Sequence, residues 1–378
     1  MYRAEYRKII RFVPMWIYLG ICLLFNIILT FNSGDVIYFN GMSSIAAEAG
    51  QKLDEQFISR LSSLQNNSYR QDALDIAENI SPLYENYDVD TNLASYYADL
   101  VSSSQSAVMI LEQKYYEVQT LVDHLARTQA DMDLYAGPIT PKSHGNLFGT
   151  LLRAISAEMC LLSMMVTVYL FGYEKTAKTD LYFTSTKVGR RLAICKFFTS
   201  LTASVGVYSA MTFLSLCIYF LHWNYSGIWE ANVASQFNTV HDLVLTKPFI
   251  TVADFTVKNY LAATIGLSIV LVVTAVLFAS LIGILTSNHY AAGLLTLLIP
   301  AVGLFATSLF GDLKMWTAYL YSLLQPVCIW MAQPVWFTEG GFNAPCIWFE
   351  VKGLSGSVVI FIIMLLFAFR YMRRRDVV

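Results

Sequence analysis

Residues 260–286 read YLAATIGLSIVLVVTAVLFASLIGILT, which is 27 consecutive positions without a charged side chain. The hydrocarbon core of a bilayer is about 30 Å thick, and a helix that crosses it needs about 20 apolar residues. A helix suits this environment because it satisfies its own backbone hydrogen bonds without water. The stretch therefore predicts a membrane-spanning helix.

Five further apolar runs extend this prediction to the whole chain, which is 56% hydrophobic and 14% charged. They are residues 12–31, 147–171, 192–222, 290–310 and 354–369. The first run is too long for the apolar part of a signal peptide, and no small-residue cleavage site follows it, so we expect it to be retained. The sequence predicts an all-α, polytopic membrane protein with six transmembrane helices.

A seventh apolar stretch, residues 316–336, contains Pro326 and Pro334 and could either cross the membrane or only dip into it. With six spans, 14 of the 25 lysines and arginines fall in three short segments on one side. Cytoplasmic segments carry such an excess of positive charge. A seventh span would move the C-terminal arginines to the other side. We therefore predict cytoplasmic termini in a cell membrane, with 316–336 as re-entrant helices on the outer side.

Residues 32–146 form the one large polar piece between predicted spans. Apolar residues recur there at helical spacing, as in Leu53, Phe57 and Leu61, and breaks fall at 66–68, 81–82 and 137–141. This pattern predicts a small extracellular helical domain of about four helices, the last being the longest. The resulting boundaries are 1–31, 32–146, 147–172, 173–191 (coupling segment), 192–222, 223–258, 259–310 (two spans), 311–353 and 354–378.

Motifs of enzymes are missing from the sequence. There is no GxxxxGK[ST] phosphate loop, no GxGxxG, no HExxH and no GxSxG. Asp88, Asp90, Asn92 and Asp99 imitate the ligand spacing of a calcium loop, but Leu93 stands where the sharp turn needs glycine. We therefore expect no catalytic residue, no metal and no cofactor in this chain.

Six cysteines occur without a CxxC pair, and four of them lie in or at the ends of predicted spans. Cys328 and Cys346 share the predicted outer compartment. They could form a disulfide or remain two free thiols, and the sequence favours the second alternative.

Two ionisable residues fall inside the second predicted span. Arg153 lies near the predicted outer surface, where snorkelling to the headgroups explains it. Glu158 lies deeper. It either lines a translocation path or is a structural residue, protonated and hydrogen-bonded to a serine or threonine of an adjacent helix.

The segment 171–198, FGYEKTAKTDLYFTSTKVGRRLAICKFF, joins the second and third predicted spans. Glu174 precedes Lys178 by four residues, a spacing that favours a short helix with an ion pair and with Leu181 and Tyr182 in an apolar patch. Arg190 and Arg191 close a basic turn at the membrane. Basic residues at this place also orient a span without any further function.

The order of these residues resembles a known connector. Glu174, Ser185-Thr186-Lys187, Gly189-Arg190 and Lys196 are similar to the cytoplasmic segment after the second span in type-2 ATP-binding-cassette transporter permeases, particularly those of Gram-positive bacteria. Lys178 stands where that family often has glycine. The resemblance covers about residues 147–310 and includes an extracellular domain between the first two spans.

The resemblance implies a permease subunit of an ATP-driven exporter. A second permease subunit, identical or related, would complete the pathway, and separate ATPase subunits would bind ATP and magnesium and dock on the connector. The coupling residues implied are Glu174, Leu181, Tyr182, Arg190 and Arg191. The cargo would be a peptide, an antimicrobial or a lipid-like molecule. A non-transporting membrane sensor or scaffold with a ligand-binding outer domain is the alternative, and the sequence disfavours a membrane enzyme.

Overall fold

The structure is a computed structural model that describes residues 1–32, 34–177, 192–239, 249–286 and 288–374. These ranges contain helices, turns and isolated β-bridges, and no strand occurs within them. The predicted all-α class is therefore confirmed. In chain order the α-helices are α1 (Tyr2–Ile10), α2 (Val13–Phe31), α3 (Val36–Ala49), α4 (Glu55–Ser63), α5 (Ser68–Asn79), α6 (Ser95–Leu100), α7 (Gln105–Arg127), α8 (Thr140–His144), α9 (Leu152–Thr176), α10 (Leu192–His222), α11 (Val257–Leu285), α12 (His289–Asp312), α13 (Trp316–Ser322), α14 (Pro326–Met331) and α15 (Phe349–Arg374).

Six helices in the described ranges are long and apolar enough to cross a membrane, namely α2, α9, α10, α11, α12 and α15. They correspond to the six apolar runs of the sequence. The second one is longer than its run, because α8 and a π-helical segment, Gly145–Leu151, lead into α9 and extend it from Gly137 to Glu174. The chain thus has the helices of a multi-pass membrane protein.

The six helices differ in how much of their surface the protein covers. α11, the helix of the quoted stretch, packs against α9, α10, α12 and α15, and 56% of its most apolar window is buried. The corresponding share in α12 is 11%. α11 is therefore the centre of the bundle, whereas α12 lies at its edge and most of its apolar surface is not covered by the described protein.

Three segments that connect spanning helices pack together at one end of the bundle. Residues 34–146, here called the insert, contact the segment after α10 through a hydrogen bond of 2.7 Å from Gln51 Nε2 to the Gly227 carbonyl. The Tyr84 hydroxyl donates to the Phe249 carbonyl at 3.0 Å. Ser104 contacts Thr317, in the segment after α12, at 3.0 Å. If the six helices cross a membrane in succession, the connections after the first, third and fifth helix must lie on the same side, and these three connections do lie together.

Before α8, which leads into the second spanning helix, the insert contains five α-helices, α3 to α7, where the sequence predicted about four. The additional break follows Ala49, since Gly50 has a φ of 103°, a left-handed value that a residue with a Cβ rarely adopts. The longest helix is α7, the last one before α8, with 23 residues. Its start is capped by Ser104, whose side chain accepts a hydrogen bond from the Ala107 amide.

The stretch 316–336 folds as two short helices, α13 and α14, rather than as one long helix. Pro326 begins α14, where its missing amide proton costs nothing. Gln325 is satisfied by α12, since its Nε2 donates to the Thr307 hydroxyl at 2.7 Å and to the Gly303 carbonyl at 3.1 Å. The proline breaks thus decide the local structure, and the position of these helices relative to the outer leaflet stays a prediction.

All six cysteines are free. Cys328 is buried beside Gln325, whose Nε2 lies 3.3 Å from its sulfur. Cys328 and Cys346 are therefore two free thiols, which is the alternative that the sequence favoured.

Replacing Gly227 with alanine is expected to destabilise the packing of the insert on the bundle. A Cβ at this position would lie 1.9 Å from the Ser43 carbonyl oxygen and 2.5 Å from the Ala47 amide nitrogen, so the α3 backbone must shift. We expect a loss of about 1–3 kcal/mol in the free energy of unfolding, measured by SDS titration in mixed micelles. Gly266→Ala is the matched control, because nothing lies within 4 Å of its added Cβ. Equal stability of the two variants would contradict this close approach.

Candidate coupling site

The last turn of α9 brings Glu174 into a buried group of charged side chains. Glu174 Oε1 accepts a hydrogen bond of 2.6 Å from Lys8 Nζ, and its Oε2 accepts one from Lys196 Nζ. Lys8 Nζ also donates to Glu5 Oε1 at 2.6 Å. We call Glu5, Lys8, Glu174 and Lys196 the Glu174 cluster. It joins α1, the end of α9 and the start of α10.

The Glu174 cluster is withdrawn from water. Glu174 is 5% exposed, Lys196 4% and Glu5 3%. Its formal charges, two negative and two positive, cancel. A buried ion is tolerated only when partners replace the hydration it loses, so each member depends on the others.

Lys8 is the most exposed member of the cluster, and its pKa is nevertheless governed by its two carboxylate partners. Burial disfavours the charged ammonium, but the hydrogen bonds to Glu174 and Glu5 and their negative charges outweigh burial and raise the pKa of Lys8 above its ordinary value. Its Nζ also lies 4.6 Å from the centre of the Tyr173 ring, a cation–π contact. The side chain therefore stays charged and held between α1 and α9.

Most of the predicted coupling residues lie outside the described residues: Leu181, Tyr182, Arg190 and Arg191. The same holds for Lys178, the partner that the sequence suggested for Glu174. Glu174 is described, and its observed partners stand 166 and 22 residues away along the chain. Glu174 and Lys196 are in contact, and the other four predicted coupling residues lie between them in the sequence.

Glu158 lies where α2 packs against α9. Its Oε2 accepts a hydrogen bond of 3.0 Å from Asn26 Nδ2, and its backbone carbonyl accepts one of 3.2 Å from the Tyr18 hydroxyl. The side chain thus bonds to a neighbouring helix, but its donor is an asparagine rather than the predicted serine or threonine. Both of its predicted roles, in a translocation path and in the structure, stay predictions. Arg153, five residues earlier, offers its backbone carbonyl to Trp330 Nε1 at 3.0 Å.

An apolar groove runs along α9 between α2 and α12. A first cavity of about 820 Å³ is lined by residues such as Phe12, Tyr18 and Tyr290, and a second of about 400 Å³ reaches Trp330. Leu161, Met164, Thr296 and Leu297 border both cavities, so we treat them as one lateral groove. Leu161 and Leu297 are exposed, and the groove is open to the surface of the bundle.

No group of three or more His, Cys, Asp or Glu side chains that could hold a metal ion occurs in the described part of the chain. In the segment that imitates a calcium loop, the Asp88 carboxylate binds its own chain. It accepts hydrogen bonds from the Thr91 hydroxyl and from the Asp90 amide.

Comparisons of this chain with protein-family models, with curated proteins and with solved structures found no match.

Sequence reasoning missed the pairings within the Glu174 cluster, although the connector resemblance included both Glu174 and Lys196. Lys196 carried a detectable signal, because a charge four residues after the predicted start of an apolar run needs a partner or a cavity. Glu5 and Lys8 carried none, since basic and acidic residues before a first span are ordinary. Their role depends on the packing of α1 against α9 and α10, which no local pattern specifies.

Proposed function

We propose that this chain is the membrane-spanning permease subunit of an ATP-driven exporter, in which a separate ATPase subunit hydrolyses ATP. The observation that carries the proposal is the Glu174 cluster. In it, Glu174 and Lys196, which flank the connector 178–191, contact each other, and Glu174 also contacts Lys8 of α1. This connector resembles the segment on which an ATPase docks in type-2 permeases. A second permease subunit, identical or related, would complete the transport pathway.

The Glu174 cluster suits a mechanical role. A displacement of the connector by the ATPase would be transmitted to Glu174 at the end of α9 and to Lys196 at the start of α10 at the same time. Separating this buried pair is costly, so the two helices would move as one body instead of absorbing the displacement locally. Lys8 would carry the same movement into α1 and α2. Glu174 is thus a positioning residue, and Leu181, Tyr182, Arg190 and Arg191 are the candidates for direct contact with the ATPase.

The lateral groove supports a cargo with a large apolar part. Its lining is mostly apolar, with leucine, methionine and aromatic side chains prominent, and it opens sideways on the bundle next to α12, the least covered of the six helices. A lipid-like molecule, an apolar peptide or an antimicrobial could enter such a groove from the bilayer without crossing water. Glu158 lines neither cavity but directly follows Ala157, a lining residue of the second one, and it is the candidate polar residue of the path.

The proposal is tested by isolating the chain from its own membranes in mild detergent and identifying the proteins that accompany it by mass spectrometry. We expect an ATPase with a phosphate-loop motif, and vanadate-sensitive ATP hydrolysis in the purified complex. Arg190→Ala with Arg191→Ala is expected to reduce the recovered ATPase at least tenfold, because charges across an interface fix orientation and association.

Arg127→Ala is the matched control for this experiment, since Arg127 is an exposed residue of the insert at the other end of the bundle. It should leave the recovered ATPase unchanged. Isolation of the intact chain with no ATPase, under conditions that preserve other membrane complexes, would contradict the proposal and favour the sensor or scaffold alternative.

A further inference from the structure

Helix α1 presents three different faces. Successive residues of an α-helix are about 100° apart, so residues four positions apart lie on nearly the same side. Glu5 and Ile9 are buried and face α9 and α10, with Lys8 at the edge of this contact. The other two faces are exposed, one of them apolar and the other basic.

The apolar face of α1 consists of Tyr2, Tyr6 and Ile10, which are 51%, 36% and 60% exposed. α2 also has an exposed apolar side, on which the exposed apolar residues follow at intervals of three or four. They are Val13, Trp16, Ile17, Ile21, Leu24, Phe25, Ile28 and Phe31. The turn between the two helices is held by a hydrogen bond of 2.8 Å from Trp16 Nε1 to the Ile10 carbonyl. The two joined helices therefore each have an exposed apolar side.

The basic face of α1 consists of Arg3 and Arg7 and continues to Arg11, the residue at its C-cap. The three arginines repeat every four residues directly beside the apolar face. All three are exposed, and none forms an ion pair with any residue that the structure describes. The charged residues of α1 that do find protein partners, Glu5 and Lys8, lie on the other side of the helix. The three guanidinium groups thus lack any counter-charge in the described chain.

We propose that α1 lies in the plane of the bilayer surface and binds anionic phospholipid headgroups through Arg3, Arg7 and Arg11. A helix with an apolar side and a basic side adopts this position, because the apolar side reaches the acyl chains while the basic side stays among the phosphates. Guanidinium groups bind phosphate oxygens in pairs, which suits a row of lipid phosphates. The Glu174 cluster holds the third side of the helix to the bundle.

Lipid fits this surface better than an acidic protein does. α1 is joined to α2 by Arg11 and Phe12 alone, so it cannot leave the membrane surface at which α2 begins. A soluble protein that covered the arginines would leave Tyr2, Tyr6 and Ile10 beside it in water. Lipid is the partner that covers both faces at once.

The test measures phosphatidylglycerol and phosphatidylcholine retained by the purified full chain, using native mass spectrometry across a lipid titration. The variant Arg3→Gln with Arg7→Gln and Arg11→Gln is expected to lose about a hundredfold in its preference for phosphatidylglycerol, since each basic residue near an anionic surface contributes about fivefold. The same three positions changed to lysine should keep the preference within about tenfold, because the positive charge remains.

A matched control removes three charges elsewhere: Arg127→Gln, Lys258→Gln and Lys314→Gln. This control should keep the preference of the parent chain. The orientation of each variant is verified first, because basic residues next to a span help to orient it. An unchanged preference in the glutamine variant of α1, an equal loss in the control, or an equal loss in the lysine variant would overturn the proposal. None of these readouts depends on whether an ATPase binds.

Discussion

Replacing Glu174 with alanine is expected to lower the free energy of unfolding by about 3–5 kcal/mol, because it leaves Lys196 charged and buried without its carboxylate. Lys196 is 4% exposed and lies near the start of a membrane-spanning helix, so water cannot replace the lost partner. Lys8 is less affected, since it keeps Glu5 at 2.6 Å and has a partly exposed side chain. SDS titration of the purified chain in mixed micelles measures the loss.

The structure offers a matched exposed pair as a control for Glu174. Glu230 and Lys258 lie 3.7 Å apart with side chains 63% and 67% exposed, and Glu230→Ala should cost less than about 1 kcal/mol. The double variant Glu174→Ala with Lys196→Met should recover most of the stability, because it removes the unpaired charge itself. A Glu174→Ala variant as stable as Glu230→Ala would show that the pair is hydrated, and the mechanical role proposed for the cluster would fail with it.

The sequence predicted the spanning helices because they are determined by composition over a short range. A run such as 260–286 has no stable arrangement other than a buried or membrane-embedded helix, whatever its neighbours are. Glu158 was recognised for the same reason, since a carboxylate at depth in an apolar run is costly wherever the run packs. Its partner Asn26 was not recognised, because an asparagine is uncharged and does not stand out in an apolar run.

The partners of the charged residues could not be predicted, since they are brought together by packing over long separations. Lys8 and Glu174 stand 166 positions apart, and Lys114 and Glu339 stand 225 apart. α7 has the regular helical spacing of a small soluble domain, and within that pattern Lys114 looks like one of its solvated charges. Only the contact of α7 with the segment between α14 and α15 makes it a buried residue.

Lys114 connects the insert to the segment that leads into α15. Its Nζ lies 2.6 Å from the Gly341 carbonyl oxygen and 3.3 Å from Glu339 Oε2, and both lysine and glutamate are nearly inaccessible to water. The same segment continues to α15 through a hydrogen bond of 3.2 Å from the Phe337 amide to Glu350 Oε1. A polar path thus runs from α7 to the first turn of a membrane-spanning helix.

Replacing Lys114 with methionine is expected to destabilise this junction by about 3–5 kcal/mol, since methionine fills similar space but leaves the Glu339 carboxylate and the Gly341 carbonyl without their donor. The loss should be local. Amide hydrogen exchange should accelerate at least tenfold in α7, in residues 337–343 and in the first turn of α15, while the centre of α11 stays protected.

Lys52→Met is the matched control for Lys114, because Lys52 pairs with Asp133 at 3.3 Å with a side chain 43% exposed. It should cost less than about 1 kcal/mol and leave exchange in α15 unchanged. The double variant Lys114→Met with Glu339→Gln should regain part of the stability, since it removes the buried negative charge. Faster exchange in α7 without any change in α15 would mean that the insert moves independently of the spanning helices. Faster exchange in both would mean that the stability of α15 is coupled to that of the insert through these few side chains.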